Sequence, residues 1–174
     1  MRLIFLSVLL FVSAMSFSQP VRVESLRLNG ELPVFCDRSE LEAHLRIDSV
    51  LTRDLYDNPM LSDSILYVGE TLFDYYAPDN IYYSGQKECI LGTVVFDDQI
   101  RSLSLGSFAI SAQTTVAEIQ SLFPDFCDEP QDITVYEDPR PYKYCRLETD
   151  LEATALLIFF REGKVVMIHL WQAT

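Results

Sequence analysis

The chain has 174 residues, 49% of them hydrophobic and 12% aromatic, with 13 Lys plus Arg against 26 Asp plus Glu and a formal net charge of −13. That much apolar side chain excludes collagen-like, low-complexity and intrinsically disordered classes, because a real core can be buried. The charge argues against a nucleic-acid partner, since gripping phosphate needs a basic face.

Met1 and Arg2 open a short charged region, 3–14 is apolar, and Ser16-Phe17-Ser18 supplies a small-x-small cleavage site before Gln19. This pattern predicts a signal peptide over 1–18. Its apolar stretch is shorter than the roughly 20 residues of a spanning helix, and no later segment reaches that length without charges, so no stable membrane insertion is expected. The first Cys is Cys36, so the cleavage-site Cys of a lipoprotein is absent. The mature chain is expected to be secreted or periplasmic. Without Arg2 it carries 12 basic and 26 acidic residues, a net charge of −14.

In chain order, 23–28 is a short extended apolar segment. Ser39 and Glu42 then form an S-x-x-E capping box, which predicts a helix start. The segment 90–103 is a β-rich run, a polar turn and a second β-rich run, the pattern of a hairpin. The same order returns: extended 103–110, a capping box at Thr115 and Glu118, and a hairpin over 154–167. Between helix and hairpin each copy has a Tyr-rich arm around an acidic, Pro-containing turn, 73–83 and 133–144. Pro139 and Pro141 suit a loop or a sheet edge. The expected fold is therefore α+β: an antiparallel sheet with short helices on one face, in two tandem similar halves, 19–104 and 105–174. The alternative is chance recurrence of helix-plus-hairpin units, which are common in α+β proteins.

Cys36, Cys89, Cys127 and Cys145 are an even number in an exported chain, which reads as disulfides. None has the C-x-x-C spacing of a redox or zinc site. Four cysteines allow three pairings; two similar halves place the bridges within each half, Cys36 with Cys89 and Cys127 with Cys145.

The run 109–124, with Thr115, Glu118, Ile119, Phe123 and Pro124 in order, resembles the Thr-x-x-Glu-(Val/Ile)-x-x-x-Phe-Pro helix opening of the beta-lactamase-inhibitor-protein-like and BamE-like fold group. The resemblance implies small exported α+β modules in which a helical pair packs on an antiparallel sheet. In the inhibitor branch it implies two modules in tandem with one disulfide in each, an architecture that extends over most of 20–172. It also implies a role in inhibition by binding or in outer-membrane assembly. The sequence departs from the group at Gly106, which lies well before Thr114 rather than next to it, and in lacking the N-terminal Cys of the lipid-anchored branch.

Catalytic signals are thin. His44 falls on the first helix and His169 on the last strand, and there is no H-E-x-x-H, G-x-S-x-G or P-loop pattern. No catalytic residue and no cofactor is assigned, and the chain reads as a non-enzyme. Asp125, Asp128, Glu129 and Asp132 lie close together but lack the EF-hand order, so they read as a solvated acidic turn rather than a metal site. The sharper feature is aromatic. Tyr75, Tyr76, Tyr82, Tyr83, Tyr136, Tyr142 and Tyr144 are seven of the nine Tyr, and Tyr gives large contact area at low rotamer entropy, as recognition surfaces need. Cross-strand packing is the competing use. Asp74, Asp79, Glu137 and Asp138 would border such a patch with negative charge and favour a basic partner. The expected function is non-catalytic protein binding by an exported monomer, inhibitor-like, through the Tyr-rich hairpins. A structural accessory of envelope assembly ranks second and a small secreted hydrolase third.

Overall fold

A computed structural model describes residues 20–53, 62–80, 87–135 and 138–172. In chain order the described elements begin with a 3-10 turn at Val23–Ser25, then β1 Leu26–Leu28, β2 Leu32–Pro33, β3 Phe35–Cys36, α1 Arg38–His44, β4 Ser49–Thr52, β5 Ser64–Val68, β6 Thr71–Tyr75 and β7 Cys89–Val94. They continue with β8 Leu103–Leu105, β9 Phe108–Ile110, α2 Val116–Leu122, β10 Gln131–Val135, β11 Asp138–Glu148, β12 Thr154–Arg161 and β13 Lys164–Gln172. Each α-helix has 7 residues, so the fold is α+β with antiparallel sheet dominating. Among the described residues no helix is long and apolar enough to cross a membrane.

The strands form two antiparallel sheets. The small one has the order β2-β1-β8-β9; the large one runs β10-β11-β12-β13-β7-β6-β5-β4, with β3 also paired to β7. The two extended segments expected at 23–28 and 103–110 meet each other, with Arg27 opposite Ser104 and Leu26, Leu28, Leu103 and Leu105 turned into the core. Asn29 and Gly30 sit in the β1–β2 turn at φ 52° and 79°, the left-handed pair that an Asn-Gly turn supplies at least cost. The Asn29 amide donates to Gln99 O (2.7 Å) and accepts from Arg101 N (2.8 Å), which clamps this turn to the segment entering β8.

β7 is buried at all six positions, as its unbroken apolar run requires of an inner strand. β6 lies along one of its edges. The other edge is shared, by β3 at Cys89 and Ile90 and by β13 at Thr93 and Val94. Phe73, Val94, Ile158, Phe160 and Ile168 face a single apolar core, into which α1 and α2 insert Leu41 and Ile119.

Local expectations are met unevenly. The Thr115–Glu118 capping box forms, Glu118 N donating to Thr115 Oγ1 (3.3 Å) and Thr115 N to Glu118 Oε2 (2.7 Å). The box at Ser39 and Glu42 does not. α1 starts earlier, with Asp37 as N-cap; its Arg38 amide is taken by Glu88 (2.9 Å), and Glu42 pairs with Arg38 Nε (2.9 Å) instead. The hairpin over 154–167 forms as β12–β13, its Glu162-Gly163 turn at φ 52° and 76°. The hairpin over 90–103 does not. Asp97 accepts from Gln99 N and Ile100 N and closes a local turn, and β8 leaves for the small sheet to pair with β1 and β9. Pro139 and Pro141 lie in the part of β11 that has β10 on one side and, before Lys143, no paired residue of β12 on the other, the one-sided pairing that Pro tolerates in a sheet.

Cys127 and Cys145 form a disulfide between the end of α2 and β11. The expected bridge between Cys36 and Cys89 is not formed: both are free, buried thiols. They face each other across the β3–β7 pair, and a hydrogen bond to Cys36, reinforced by burial, pushes the Cys89 thiol far above its ordinary value and keeps it protonated.

Candidate functional site

Side chains alternate between the faces of a strand, so the register that points Phe73, Ile158 and Ile168 into the core also defines what the large sheet shows on its other face. One row across it reads Arg146, Leu157, His169, Thr93, Leu72, Tyr67 on β11, β12, β13, β7, β6 and β5. A second reads Tyr144, Phe159, Met167, and a third Glu148, Ala155, Trp171. Tyr67, Leu72, Tyr144, Leu157, Met167, His169 and Trp171 are half-buried and stand outside the core cluster. The face is thus apolar and aromatic, and neither helix packs its buried residue on it.

Small residues shape its surface. Ala155, between Glu148 and Trp171, is fully buried; the Arg146 guanidinium lies 4.9 Å from the centre of the Trp171 ring, an attractive cation–π contact, and Glu148 holds Arg146 Nε at 2.8 Å. Gly92 stands at the irregularity where β6 and β7 change register, and a Cβ there would come within 2.5 Å of Leu72 Cδ1. Its missing side chain lets Leu72 lie flat. Nearer the β11 side, Tyr144 stacks on Phe159 (6.0 Å between ring centres) and Tyr142 meets the same ring edge-on at 6.3 Å. Arg161 lies 4.5 Å over the Tyr142 ring and donates to its hydroxyl.

The polar centre is His169, whose Nδ1 lies 2.9 Å from Thr93 Oγ1. Burial holds its imidazole below the ordinary value, against the opposing pull of the Gly92 carbonyl and the Asp74 charge. Asp74 accepts from the buried Ser62 hydroxyl (2.6 Å) and lies 3.4 Å from Arg53 Nη1. Its carboxylate is therefore engaged by Ser62 and Arg53. Among the described residues, no group of three or more His, Cys, Asp or Glu side chains comes together as a metal ion would need.

The two Tyr-rich arms open at opposite ends of the large sheet. Tyr75 ends β6 opposite Cys89, whereas the β10–β11 hairpin lies beside the β12–β13 turn, beyond Val94 at the other end of β7. Tyr75 and Tyr76 pack against the core, with Arg38 lying 5.3 Å over the Tyr75 ring. Asp79 is exposed in the turn that follows, which Asp63 pins by accepting from Ala77 N (2.8 Å) and Asn80 Nδ2 (2.9 Å). Tyr142 is buried, 8% exposed, and Tyr144 is half-buried; both belong to the outer sheet face. Tyr82, Tyr83, Tyr136 and Glu137 lie outside the described residues, as does the side chain of Asp138. Of the acidic group 125–132, Asp132 pairs with Lys143 (3.1 Å). His44 is remote from His169, on the rim of a polar cleft of about 360 Å³ that also touches Glu31, Asp98 and Arg101.

Sequence reasoning missed Tyr67, Arg146, Phe159, Met167 and Trp171. A signal was available in 164–172, where Met167, His169 and Trp171 alternate with Ile168 and Leu170: a period of two that separates an aromatic and polar face from an aliphatic one. No known protein family, curated protein or solved structure matches the chain.

Proposed function

We propose that the protein is an exported, non-catalytic binding module that docks a protein partner on the outer face of its large sheet. The observation that carries this is the make-up of that face: Tyr, Trp, Met and Arg, the types enriched at recognition hot spots, gathered over several strands and left outside the core. Charge on the face is close to balance, Arg53, Arg146 and Arg161 standing against Asp74 and Glu148. Contact area therefore supplies affinity there, and the acidic remainder of the chain steers a basic partner toward it. Tyr142 and Tyr144 contribute from one hairpin only.

Two tandem halves fit this use. The order of each sheet reads alike from either end, and each half runs from short strands through a seven-residue helix to a four-stranded meander. Leu41 and Ile119 are the buried residues of the two helices, each at the fourth helical position. On this reading the halves correspond to the paired modules of the inhibitor-like group, and cleavage after Ser18 releases the chain outside the cytoplasm.

The test is affinity capture from the exported fraction with wild type beside a Tyr144→Ala, Trp171→Ala double variant, with melting curves recorded for both. Wild type retains a partner that the folded variant loses. A partner retained equally by both places the binding surface elsewhere.

A further inference from the structure

We propose that β4 is a self-association edge, at which two copies of this chain join their β4 strands antiparallel about a two-fold axis through Leu51. Among the described residues, β4 closes one end of the large sheet and pairs with β5 alone. All four of its residues are exposed, with Val50 at 47% and Leu51 at 53%. The strand Ser-Val-Leu-Thr has no charge, Pro or Gly, so of the devices that keep edge strands apart it retains its shortness, at four residues. The opposite end differs. β10 carries a charged residue within the strand itself, Asp132 at its second position, paired to Lys143 at 3.1 Å, whereas the charges around β4 lie outside it.

The backbone narrows the register. Arg53 N donates to Asp63 O at 3.0 Å, so Arg53 faces β5. In an antiparallel ladder the N–H and C=O of one residue point to the same side and alternate along the strand. Leu51 and Ser49 therefore also face β5, and Val50 and Thr52 present their backbone groups to the free edge. An incoming antiparallel strand must bond through residues of that same parity. One choice sets Val50 against Val50 of the second copy, which would require Asp48 to bond outward as well; Asp48 N is already committed to Tyr67 O at 2.8 Å. A second sets Thr52 against Thr52 and draws on residue 54, which lies outside the described residues; the third sets Val50 against Thr52 of the second copy, leaves Leu51 facing Leu51 on the axis and needs only the residues of β4. That register uses every outward donor and acceptor of β4.

Side chains agree with it. β-branched Val50 meets β-branched Thr52 on one face, and on the other the two Leu51 side chains meet beside Ile65, the Leu51 neighbour on β5. Such cross-strand contacts are the unit of sheet stabilisation. The strand is flanked by charges that are already paired, Arg46 with Asp48 at 2.9 Å and Arg53 with Asp74 at 3.4 Å. The edge is locally neutral in a strongly acidic chain, which is what a second copy of that chain requires. The contact is isologous, so it closes at a dimer.

Sedimentation of the mature chain over micromolar to several-hundred-micromolar concentrations tests this at physiological salt. Wild type is expected to form a dimer, with exchange of the Val50 and Thr52 amides slowing as concentration rises. Leu51→Lys places two ammonium groups together on the axis and should leave only monomer. Thr52→Pro removes an outward N–H and no bond to β5, and should do the same, so the test survives if one variant fails to fold. Ile133→Lys on β10 should remain dimeric. A wild type that is monomeric throughout, or a dimer that persists in either folded β4 variant, overturns the proposal.

Discussion

Replacing Cys127 and Cys145 together by Ala should cost more stability than any surface change in this protein, and its size follows from where the bridge lies. The bond closes a loop with a sequence separation of 18, for which the chain-entropy model gives about 3 kcal/mol at 25 °C. Both half-cystines are buried, at 1% and 3% exposure. Cys127 N donates to Phe123 O at 3.0 Å just past α2, and Cys145 stands opposite Ile158 on the core side of β11. Deleting the two sulfurs there adds about 1 kcal/mol of lost packing. At about 2–4 °C per kcal/mol for a chain of this size, the double variant should melt roughly 8–16 °C below wild type. Differential scanning calorimetry without reductant measures this directly. A fall of less than about 3 °C would refute the reasoning, because it would mean that the unfolded chain keeps the β10–β11 hairpin inside the loop and the bridge has little freedom to remove.

Acid titration tests the centre of the outer face. Burial keeps the folded imidazole of His169 below the ordinary value of 6.5, so between the folded and unfolded values the unfolded chain binds more protons. Stability should therefore fall as pH drops through the ordinary imidazole range, with the loss complete below the folded value. Urea unfolding across that window should show this slope in wild type and a flatter one in His169→Gln. At α2, Thr115→Ala removes the acceptor for Glu118 N (3.3 Å) and should cost about 1 kcal/mol by the same assay. Ser39→Ala, at a position inside α1 that caps nothing, should stay within about 0.5 kcal/mol of wild type.

Local signals in the sequence were legible where a few neighbouring residues decide the outcome. The Thr115 box and the 154–167 hairpin depend on short-range chemistry, and both form; of the segments expected to be extended, 26–28, 103–105 and 108–110 are strands, whereas Val23–Ser25 is a 3-10 turn and 103–110 folds back on itself. Ser39 misled because its rival, the Asp37 N-cap supported by Glu88, draws on a residue far along the chain. The 90–103 segment misled for a related reason. A polar turn between two β-rich runs makes a hairpin only if the runs pair, and β8 finds β1 instead of β7. Clustering of Tyr along the sequence likewise said little about clustering in space, since a meander sends successive connections to alternate ends of the sheet. The outer face was hidden from a linear reading because its members come from strands separated by up to about a hundred residues, joined only once β7 and β13 pair.

The shared edge of β7 has a consequence for how the chain is made. Thr93 and Val94 acquire their neighbours on that side only from His169 and Ile168, among the last described residues of the protein. A chain synthesised from its N-terminus therefore presents β3 to β7 early, while the remaining length of this inner strand waits for β13. During that interval an apolar strand is paired along one edge and open on part of the other, the state most exposed to wrong pairing. Completion of the large sheet is thereby tied to release of the C-terminal strand, and a truncation that removes β13 would open the middle of the sheet rather than trim its margin.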